Sequence, residues 1–502
     1  MQYTDLLILL FAIFIIGPFI LPILRFASEK LMLFTSILIL IAVNIIVWLF
    51  APAVFGGEVI VLWLGDWALV NGIPIGISIV LDKPALIMSI IFAFLALMAM
   101  IHSLGYIKKS KDKMSYAMLL IFLTFGIIGM VITGDLFNLY VFLEITALSA
   151  YILTAFILGK EELEASFKYQ VLGTVSSLMI LFSIGLVLLS TGHLNMAMVA
   201  TVFIERGMLA VDYAALGIFI GGFALKAALV PFHIWLLDAH PAAPSPISAL
   251  LSGVVIKAGM FAMVRIIFTM FGFSETIGSI LMVVAIASIF IGTVLAVVQD
   301  NVKRMLAYSS VAQMGYIALA FSFGTVFGIV GGFFQIITHA LAKGALFMSI
   351  GSVISVTHTK SMKKMGGLLD EMPVSTVGFM IGGLSIVGIP ILTGFWSKIS
   401  IATAGIHEGE YLIIGIIILT SVVTLAYYSN AFKSVFLGKK SEHLEKMPII
   451  KESLIMAIPI ILLTIMTILI GIVPEPILNI LYGAAEQLIN QEQYIYNVLG
   501  GN

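Results

Sequence analysis

Apolar stretches long enough to cross a lipid bilayer recur along the whole chain. A helix needs about 20 apolar residues to span the hydrocarbon core. Dividing the 502 residues at charged or Gly/Pro-rich breaks gives fourteen candidate spans: 5–26, 31–51, 81–105, 115–133, 134–158, 166–190, 212–237, 245–271, 277–298, 305–324, 327–355, 374–404, 411–437 and 452–473. With 61% hydrophobic and 10% charged residues, the sequence predicts an all-α polytopic membrane protein of about fourteen transmembrane helices.

Basic residues are concentrated in alternate loops between these spans. One set of loops holds Arg25, Lys30, Lys108, Lys109, Lys111, Lys113, Lys160, Lys168, Lys303, Arg304, Lys360, Lys363, Lys364, Lys433, Lys439, Lys440, Lys446 and Lys451. The other set has only Lys83, Arg206 and the flanking Arg265. Because cytoplasmic loops collect Lys and Arg, we predict a multi-pass protein of the cell membrane with both termini outside. The long apolar N-terminus is interpreted as the first span and not as a signal peptide.

Several classes of function are excluded by composition. The chain has no cysteine, which removes disulfides, thiolate zinc sites, cysteine-ligated iron–sulfur clusters and cysteine nucleophiles. A net charge of −1 argues against nucleic acid as a partner. No loop is long enough for a soluble catalytic domain, so we expect no cofactor, metal or redox and hydrolytic site in this chain. Any redox reaction linked to it takes place in a partner subunit.

Titratable residues remain inside the predicted spans after the loops are assigned. They are Glu144, Lys226, Lys257, His339, Lys343 and Lys398. A charged side chain at the centre of a membrane helix costs about 2.5–3.5 kcal/mol even on the lenient insertion scale, unless it is paired, hydrated or neutralised. His339 and Lys343 are four residues apart and share one helix face. An imidazole beside a lysine would do little to stabilise the packing of helices but could relay a proton, so the set is interpreted as a proton pathway.

Structural alternatives stay open for single members of this set. Glu144 fits a structural ion pair or a protonated acid between two helices. Lys226 could extend toward the interface, although from mid-span it reaches there with difficulty. Lys398 could cap a helix end near a break. Glu144 and Lys226 are interpreted as a switch pair, an inference that spacing alone does not test because the two residues lie on different helices.

Helix breakers accompany two of the lysines. Pro231 follows Lys226 by five residues, and the Gly/Pro-containing stretch 388–394 precedes Lys398. Broken helices at membrane depth are tolerated only where they line protein or a wet cavity, and in transporters they mark the ion path. His233 shares the face of Lys226 only if the helix continues through Pro231, and it is a second-tier candidate.

Three further residues are second-tier candidates near the span ends. Asp238 and His240 lie at the predicted cytoplasmic end of one helix, just before Ser245 and Pro246 begin the next. This segment fits either an ordinary helix-start turn or the entry mouth of a proton path. Asp135 and the cytoplasmic DNVKR segment (300–304) are expected to set loop structure, although either could assist a path.

Five ordered stretches resemble one known family. They are GDLFNLYVFLEITALSAYIL (134–153), ALKAALVPFHIWLLDAHPAAPSPISALLSGVVIKAGMFAMVR (224–265), DNVKRMLAYSSVAQMGY (300–316), HALAKGALF (339–347) and GIPILTGFWSKISI (388–401). The chain resembles the antiporter-like proton-translocating family: the L, M and N membrane subunits of respiratory complex I, the large subunits of Mrp-type Na+/H+ antiporters, and their counterparts in membrane-bound hydrogenases.

The resemblance implies a fold and a role for each residue of the pathway. It implies one membrane domain (1–502) with N-terminal helices (1–105), two inverted five-helix repeats (115–271 and 277–437), each with a broken helix, and a C-terminal helix with a short tail (452–502). By motif, Glu144 and Lys226 match the switch pair, Lys257 the first relay lysine, His339 and Lys343 the central relay, and Lys398 the terminal lysine.

Departures from the family patterns concern the host complex. GFWSK has lysine where the complex I M subunit has glutamate, and the chain is expected to lack the long lateral helix of the L subunit. DLFNLYVFLE is closest to the Mrp D subunit, whereas LLDAHPAAPSPISALLSG is closer to complex I and hydrogenase versions, with Leu237 where these commonly have proline. The mixed signature implies other membrane subunits as partners, with iron–sulfur or hydrogenase-type peripheral subunits if the host is a ferredoxin-linked complex. The alternatives are an Mrp antiporter or a stand-alone transporter of a polar solute.

Overall fold

The computed structural model describes residues 2–70, 72–108, 110, 112–445 and 451–500, so Lys109, Lys111 and Lys446 of the predicted loops lie outside it. Its helices are α1 (Tyr3–Ala27), α2 (Glu29–Leu49), α3 (Ala51–Phe55), α4 (Lys83–Tyr106), α5 (Lys113–Ile132), α6 (Leu136–Thr154), α7 (Lys160–Thr191), α8 (Met196–Arg206), α9 (Ala210–Lys226), α10 (Ile234–Ala242), α11 (Ser245–Leu250), α12 (Ile256–Arg265), α13 (Glu275–Val297), α14 (Val302–Ser322), α15 (Val326–Thr357), α16 (Pro373–Val387), α17 (Thr393–His407), α18 (Leu412–Phe436), α19 (Glu442–Glu445), α20 (Leu454–Ile472), α21 (Glu475–Ile489) and α22 (Gln491–Ile495).

Regular strand structure in the described residues is confined to the connection before α4. The strands are β1 (Ile60–Trp63), β2 (Leu69–Val70), β3 (Ile73–Pro74) and β4 (Ser78–Leu81). β1 pairs antiparallel with β4, and β2 with β3, so the connection closes as a small nested hairpin over the ends of the helices. The prediction of an all-α polytopic membrane protein is confirmed in this form.

Eleven of the predicted spans coincide with helices that are long and apolar enough to cross a membrane, counted over the described part of the chain. The other three are the segments 212–237, 305–324 and 374–404. The first and third are each divided into two shorter helices, and the middle one forms the 21-residue α14, which is rich in buried polar side chains. A total of fourteen crossings and the inverted repeats stay predictions.

Both predicted helix breaks are present. α9 ends at Lys226 and α10 begins at Ile234, and α16 ends at Val387 while α17 begins at Thr393. Gly388 ends α16 with φ 93°, a left-handed conformation that glycine adopts without strain. A Cβ on Gly388 would also stand 2.8 Å from the Cδ of Lys398, so glycine leaves room for the lysine stem.

Three contacts between helix ends each join segments that the predicted alternation places on the same side of the membrane. At one end of the molecule Lys113 pairs with Glu29 at 2.7 Å, and Asn301 bridges to Ser361. At the other end Gln487 Oε1 accepts from the Lys83 backbone at 2.9 Å. The tail helix α21 therefore packs beside the start of α4, and which of the two sets faces the cytoplasm stays a prediction.

Two basic residues assigned to loops or their edges are instead buried. Lys303 is 2% exposed and Arg265 is 2% exposed. Arg265 Nη1 donates to Asp82 Oδ2 at 2.5 Å across the ends of α12 and α4. Lys303 lies beside its loop, as the second residue of α14, and its side chain turns inward. A charge count near a span end does not distinguish such a side chain from one that faces water.

Candidate functional site

Lys226 lies in the last turn of α9, where the free carbonyl groups of a helix end favour a cation. Its Nζ donates to the Gly173 carbonyl at 3.2 Å and approaches the Tyr151 hydroxyl at 3.5 Å. Glu144 precedes Tyr151 by seven residues on α6, which is two turns along the same face, or about 10.5 Å. No Glu144 carboxylate oxygen comes within 4.0 Å of Lys226 Nζ, and Tyr151 is the hydroxyl group that contacts Lys226 on the face that carries Glu144.

Tyr151 is held in place by tight packing between α6, α7 and α10. Its ring meets Tyr169 edge to face with the centroids 4.6 Å apart, and Tyr169 stacks on Trp235 at 4.1 Å. A Cβ on Gly173 would stand only 1.8 Å from the Tyr151 hydroxyl oxygen. Glycine at 173 thus admits the tyrosine and leaves its own carbonyl open to Lys226.

Lys257 is fully buried beside a π-helical turn between α11 and α12. The turn covers Leu251–Val255, and Lys257 Nζ donates to the Ser252 carbonyl at 2.7 Å. The Ser252 hydroxyl in turn contacts the Ser310 hydroxyl of α14 at 2.7 Å. Such one-turn π segments are frequent at functional sites, and here the turn presents a carbonyl oxygen to the ammonium group.

α15 carries a buried polar stripe. Gln335, His339 and Lys343 follow each other at four-residue intervals and therefore share one face. Lys343 Nζ donates to the Leu306 carbonyl at 2.9 Å and to the Tyr428 hydroxyl at 3.2 Å. Both ring nitrogens of His339 are buried without a hydrogen-bond partner among the described residues, so no described protein group fixes which nitrogen carries the proton.

Lys398 lies across the second break, near the other end of this stripe. Its Nζ donates to the carbonyl of Val387, the last residue of α16, and to the Ser421 hydroxyl, both at 2.7 Å. Next to it, the Ser397 hydroxyl donates to Gln335 Oε1 at 2.6 Å. The Gln335 end of the stripe therefore reaches the residue adjacent to Lys398.

Asp238 and His240 face opposite environments although they are two residues apart. Asp238 is partly exposed and pairs with Lys168 at 3.2 Å and Arg304 at 2.9 Å. His240 is fully buried, with its ring 4.8 Å from that of Phe347 and both ring nitrogens unpartnered in the described structure. The segment thus joins a charged surface to the interior.

The two remaining second-tier residues occupy separate positions. His233 lies in the break between α9 and α10, so the helix does not survive Pro231 and the seven-residue spacing to Lys226 does not put both on one face. Asp135 is the N-cap of α6, where its Oδ1 accepts from the Asn138 backbone at 2.8 Å. This is the loop-setting role expected for it.

Sequence reasoning overlooked the uncharged members of the site. Tyr151, Gln335 and Tyr428 each contact a pathway residue or its neighbour. Gln335 had a usable signal, since it precedes His339 by the same four residues that separate His339 from Lys343. The tyrosines had none, because their partners lie on other helices.

The described residues contain no group of three or more His, Cys, Asp or Glu side chains arranged to hold a metal ion. The ammonium groups of the site donate to protein oxygens, as at Ser252 and Val387. The arrangement is a row of separated titratable groups with hydroxyl and carbonyl neighbours, which suits movement of protons better than binding of one large ligand.

Comparison with known proteins places this chain among relatives of one kind. Residues 133–424 match the family described as NADH:quinone oxidoreductase/Mrp antiporter, TM. The chain is 33% identical to the N subunit of the NADH-quinone oxidoreductase of Desulforudis audaxviator over 72% of this chain and 74% of that protein. It is 31% identical to the D subunit of the Na+/H+ antiporter of Alkalihalophilus pseudofirmus over 89% and 90%.

A solved structure extends the likeness to the whole fold. The chain superposes on one from the membrane-bound sulfane sulfur reductase, an archaeal respiratory membrane complex, with a TM-score of 0.90 and 34% identity over 98% of this chain and 99% of that one. The family match covers more than half of the sequence and includes Glu144 through Lys398. The chain therefore belongs to the NADH:quinone oxidoreductase/Mrp antiporter transmembrane family.

Proposed function

We propose that this chain is the proton-translocating, antiporter-like membrane subunit of a multisubunit ion-pumping complex in the cell membrane. The observation that supports the proposal most is the buried polar row through α15, from Lys343 past His339 to Gln335 and on to Ser397, beside Lys398. Several buried ammonium groups in one membrane domain cost stability, so their presence is explained best by transport.

Protons enter near Asp238 and His240 or near Lys257, pass along His339 and Lys343, and leave by Lys398. Lys257 connects to the stripe through neighbouring carbonyl and hydroxyl groups on α14, the helix that also offers the Leu306 carbonyl to Lys343. The entry side is cytoplasmic and both termini are outside, as the distribution of basic residues predicts. The division into two inverted repeats belongs to the same proposal.

The Glu144 and Lys226 pair sets the timing of transfer. The two side chains are not in direct contact in this structure, and Tyr151, on the helix that carries Glu144, contacts Lys226. When a charge arrives that neutralises Glu144, the ammonium of Lys226 loses its electrostatic partner and releases its proton. The pair therefore works as a switch that couples this chain to its neighbours.

The relatives point to two kinds of host complex. The names of the matched proteins include a respiratory oxidoreductase subunit and an Na+/H+ antiporter subunit, and the superposed structure is a respiratory membrane complex. The host is either a membrane-bound, ferredoxin-linked respiratory complex or an Mrp-type antiporter. In both cases the partners are other membrane subunits, and the chain itself supplies no cofactor.

Alanine variants of the switch pair test the proposal. In vesicles that contain the complete complex, Lys226→Ala and Glu144→Ala should abolish coupled ion movement and leave the assembled complex at near wild-type amounts. Lys363→Ala, which removes an exposed loop lysine, is the matched control and should transport normally. Full ion movement by either switch variant would contradict the mechanism.

The alternative is a transporter of a polar solute that acts alone, with Glu144 and the lysines binding the substrate. It predicts transport by the isolated, reconstituted chain. Co-purification with small membrane subunits, together with inactivity of the isolated chain, would count against it.

A further inference from the structure

Lys303 is a buried lysine that the pathway above does not use. It is the second residue of α14, whose N-terminus is capped by the Asn301 side chain. Its Nζ donates to the carbonyl of Ala243 at 2.5 Å, in the short gap between α10 and α11. The ammonium of this fully buried lysine bonds to a single carbonyl, and the one carboxylate whose charge acts on it among the described residues, that of Glu162, also pairs with Lys360 at 3.8 Å. Packing alone therefore does not explain the buried charge.

A charged surface cavity lies on the other side of this gap. It has a volume of about 270 Å³ and is lined by Glu161, Glu164, Lys168, Asp238, Arg304 and Lys360. Pro241 and Ala242, which directly precede the carbonyl acceptor of Lys303, also line it. Lys303 Nζ therefore bonds to Ala243, which directly follows two lining residues in the sequence. Arg304, the residue after Lys303, lines the cavity and donates to Asp238.

The interior side of Lys303 leads to the central relay. His240 lies three residues before Ala243, and its unpartnered ring stacks on Phe347, which follows Lys343 by one helical turn on α15. The carbonyl that accepts from Lys343 belongs to Leu306, one turn after Lys303 on α14, or about 4.5 Å along the axis. His240 therefore lies close enough to Lys303 and Lys343 for both charges to act on it, and the charge of Lys257 acts on it as well.

We propose that Lys303 loads protons from the charged cavity and passes them through His240 to Lys343. The ammonium of Lys303 gives a proton to one ring nitrogen of neutral His240, and the other ring nitrogen gives a proton to the amine of Lys343. Water in the cavity then returns a proton to Lys303. No electron or further reactant is needed, and the scheme rests on the proton transport proposed for this chain.

A purely structural role is the competing explanation. In that case Lys303 supplies a positive charge and a donor to the Ala243 carbonyl, and any cation that fits would serve. Arginine keeps the charge and the donors but does not release its proton under physiological conditions. Histidine keeps a transferable proton with an ordinary pKa near 6.5. The two variants therefore separate a proton carrier from a structural cation.

The test uses the complete complex in sealed vesicles, with proton movement measured against pH on the loading side after normalising to assembled complex. Lys303→Arg should transport on the order of 100-fold more slowly, within the range of positioned acid–base groups. Lys303→His should retain activity that falls as the pH rises, with the decline centred below the ordinary histidine value of about 6.5 because burial disfavours the charged imidazole, and this decline should be absent from the wild type. Lys363→Arg, at an exposed lysine outside the cavity lining, is the control and should transport normally.

Wild-type transport by Lys303→Arg, or a wild-type pH profile for Lys303→His, would overturn the loading role. If the arginine variant fails to assemble, the histidine profile still decides. Lys343→Ala separates this result from the wider proposal: if it stops transport while Lys303→Arg does not, only the loading role fails. If Lys343→Ala also transports fully, proton translocation through this axis fails.

Discussion

Removing the Tyr151 hydroxyl tests whether this group couples Lys226 to Glu144, the other member of the switch pair. Tyr151→Phe deletes one oxygen and leaves the ring that packs against Tyr169. Lys226 then keeps only the Gly173 carbonyl, 3.2 Å away, as a hydrogen-bond partner. Because the aromatic packing is preserved, the variant should assemble normally.

The size of the effect follows from the geometry. A hydrogen bond to a charged group contributes about 1.5–3 kcal/mol. The distance from Lys226 Nζ to the Tyr151 hydroxyl is 3.5 Å, well beyond the usual hydrogen-bond distance. We therefore assign this contact an energy at the lower end of that range, about 1.5 kcal/mol. Since 1.4 kcal/mol corresponds to a factor of ten, proton transport should slow by about tenfold.

The assay is proton movement by the complete complex in sealed vesicles, normalised to assembled complex. Tyr169→Phe is the matched control, since Tyr169 belongs to the same aromatic stack but makes no hydrogen bond to Lys226. Tyr169→Phe should behave as wild type. Wild-type transport by Tyr151→Phe would refute the role of the hydroxyl, and equal impairment of both variants would assign the effect to packing.

Three other substitutions probe the same framework. Gly173→Ala forces a Cβ to within 1.8 Å of the Tyr151 oxygen, so it should destabilise the chain by about 1–3 kcal/mol and slow transport more than loss of the hydroxyl alone, measured by thermal stability and vesicle assay. Asp82→Ala leaves Arg265 buried without its partner and should cost about 3–5 kcal/mol, seen as loss of assembled complex. Gln335→Leu removes the acceptor for the Ser397 hydroxyl beside the terminal lysine and the donor to the buried Gln313, so it should slow transport and lower the free energy of unfolding by about 1–3 kcal/mol; unaltered transport would exclude that residue from the path.

The main features of the fold were predictable because the bilayer imposes a length and a polarity on each span. Both broken helices were also predictable, since a proline or glycine removes a donor or frees the backbone at a fixed position. α14 shows where hydropathy alone does not identify a span. It was predicted as span 305–324, but because of its buried polar residues it is not among the helices that are apolar enough to cross a membrane by that measure.

The candidate site was predictable where a charge interrupts an apolar run. Lys257, Lys343 and Lys398 are all buried. Lys303 was missed because it lies at a span end, where the sequence does not distinguish a lysine exposed in a loop from a lysine whose side chain turns inward. Sequence spacing also could not test direct pairing of Glu144 with Lys226, because the two residues lie on different helices. In the structure Tyr151 contacts the lysine instead.

The two broken helices hold their lysines differently. Lys226 occupies the last turn of α9 but donates to the Gly173 carbonyl of α7, whereas Lys398 donates to the last carbonyl of α16, so the Lys398 ammonium is bonded at the negative end of a half-helix. Each break also contains a non-glycine residue with positive φ, Ala228 at 54° and Ile391 at 77°, a conformation that costs about 1–3 kcal/mol. Because the Val387 carbonyl at the second break accepts from the terminal lysine, a small backbone rearrangement there would change the proton affinity of Lys398 directly. At the first break, the same kind of rearrangement would act on Lys226 by moving its ammonium relative to the Gly173 carbonyl of α7.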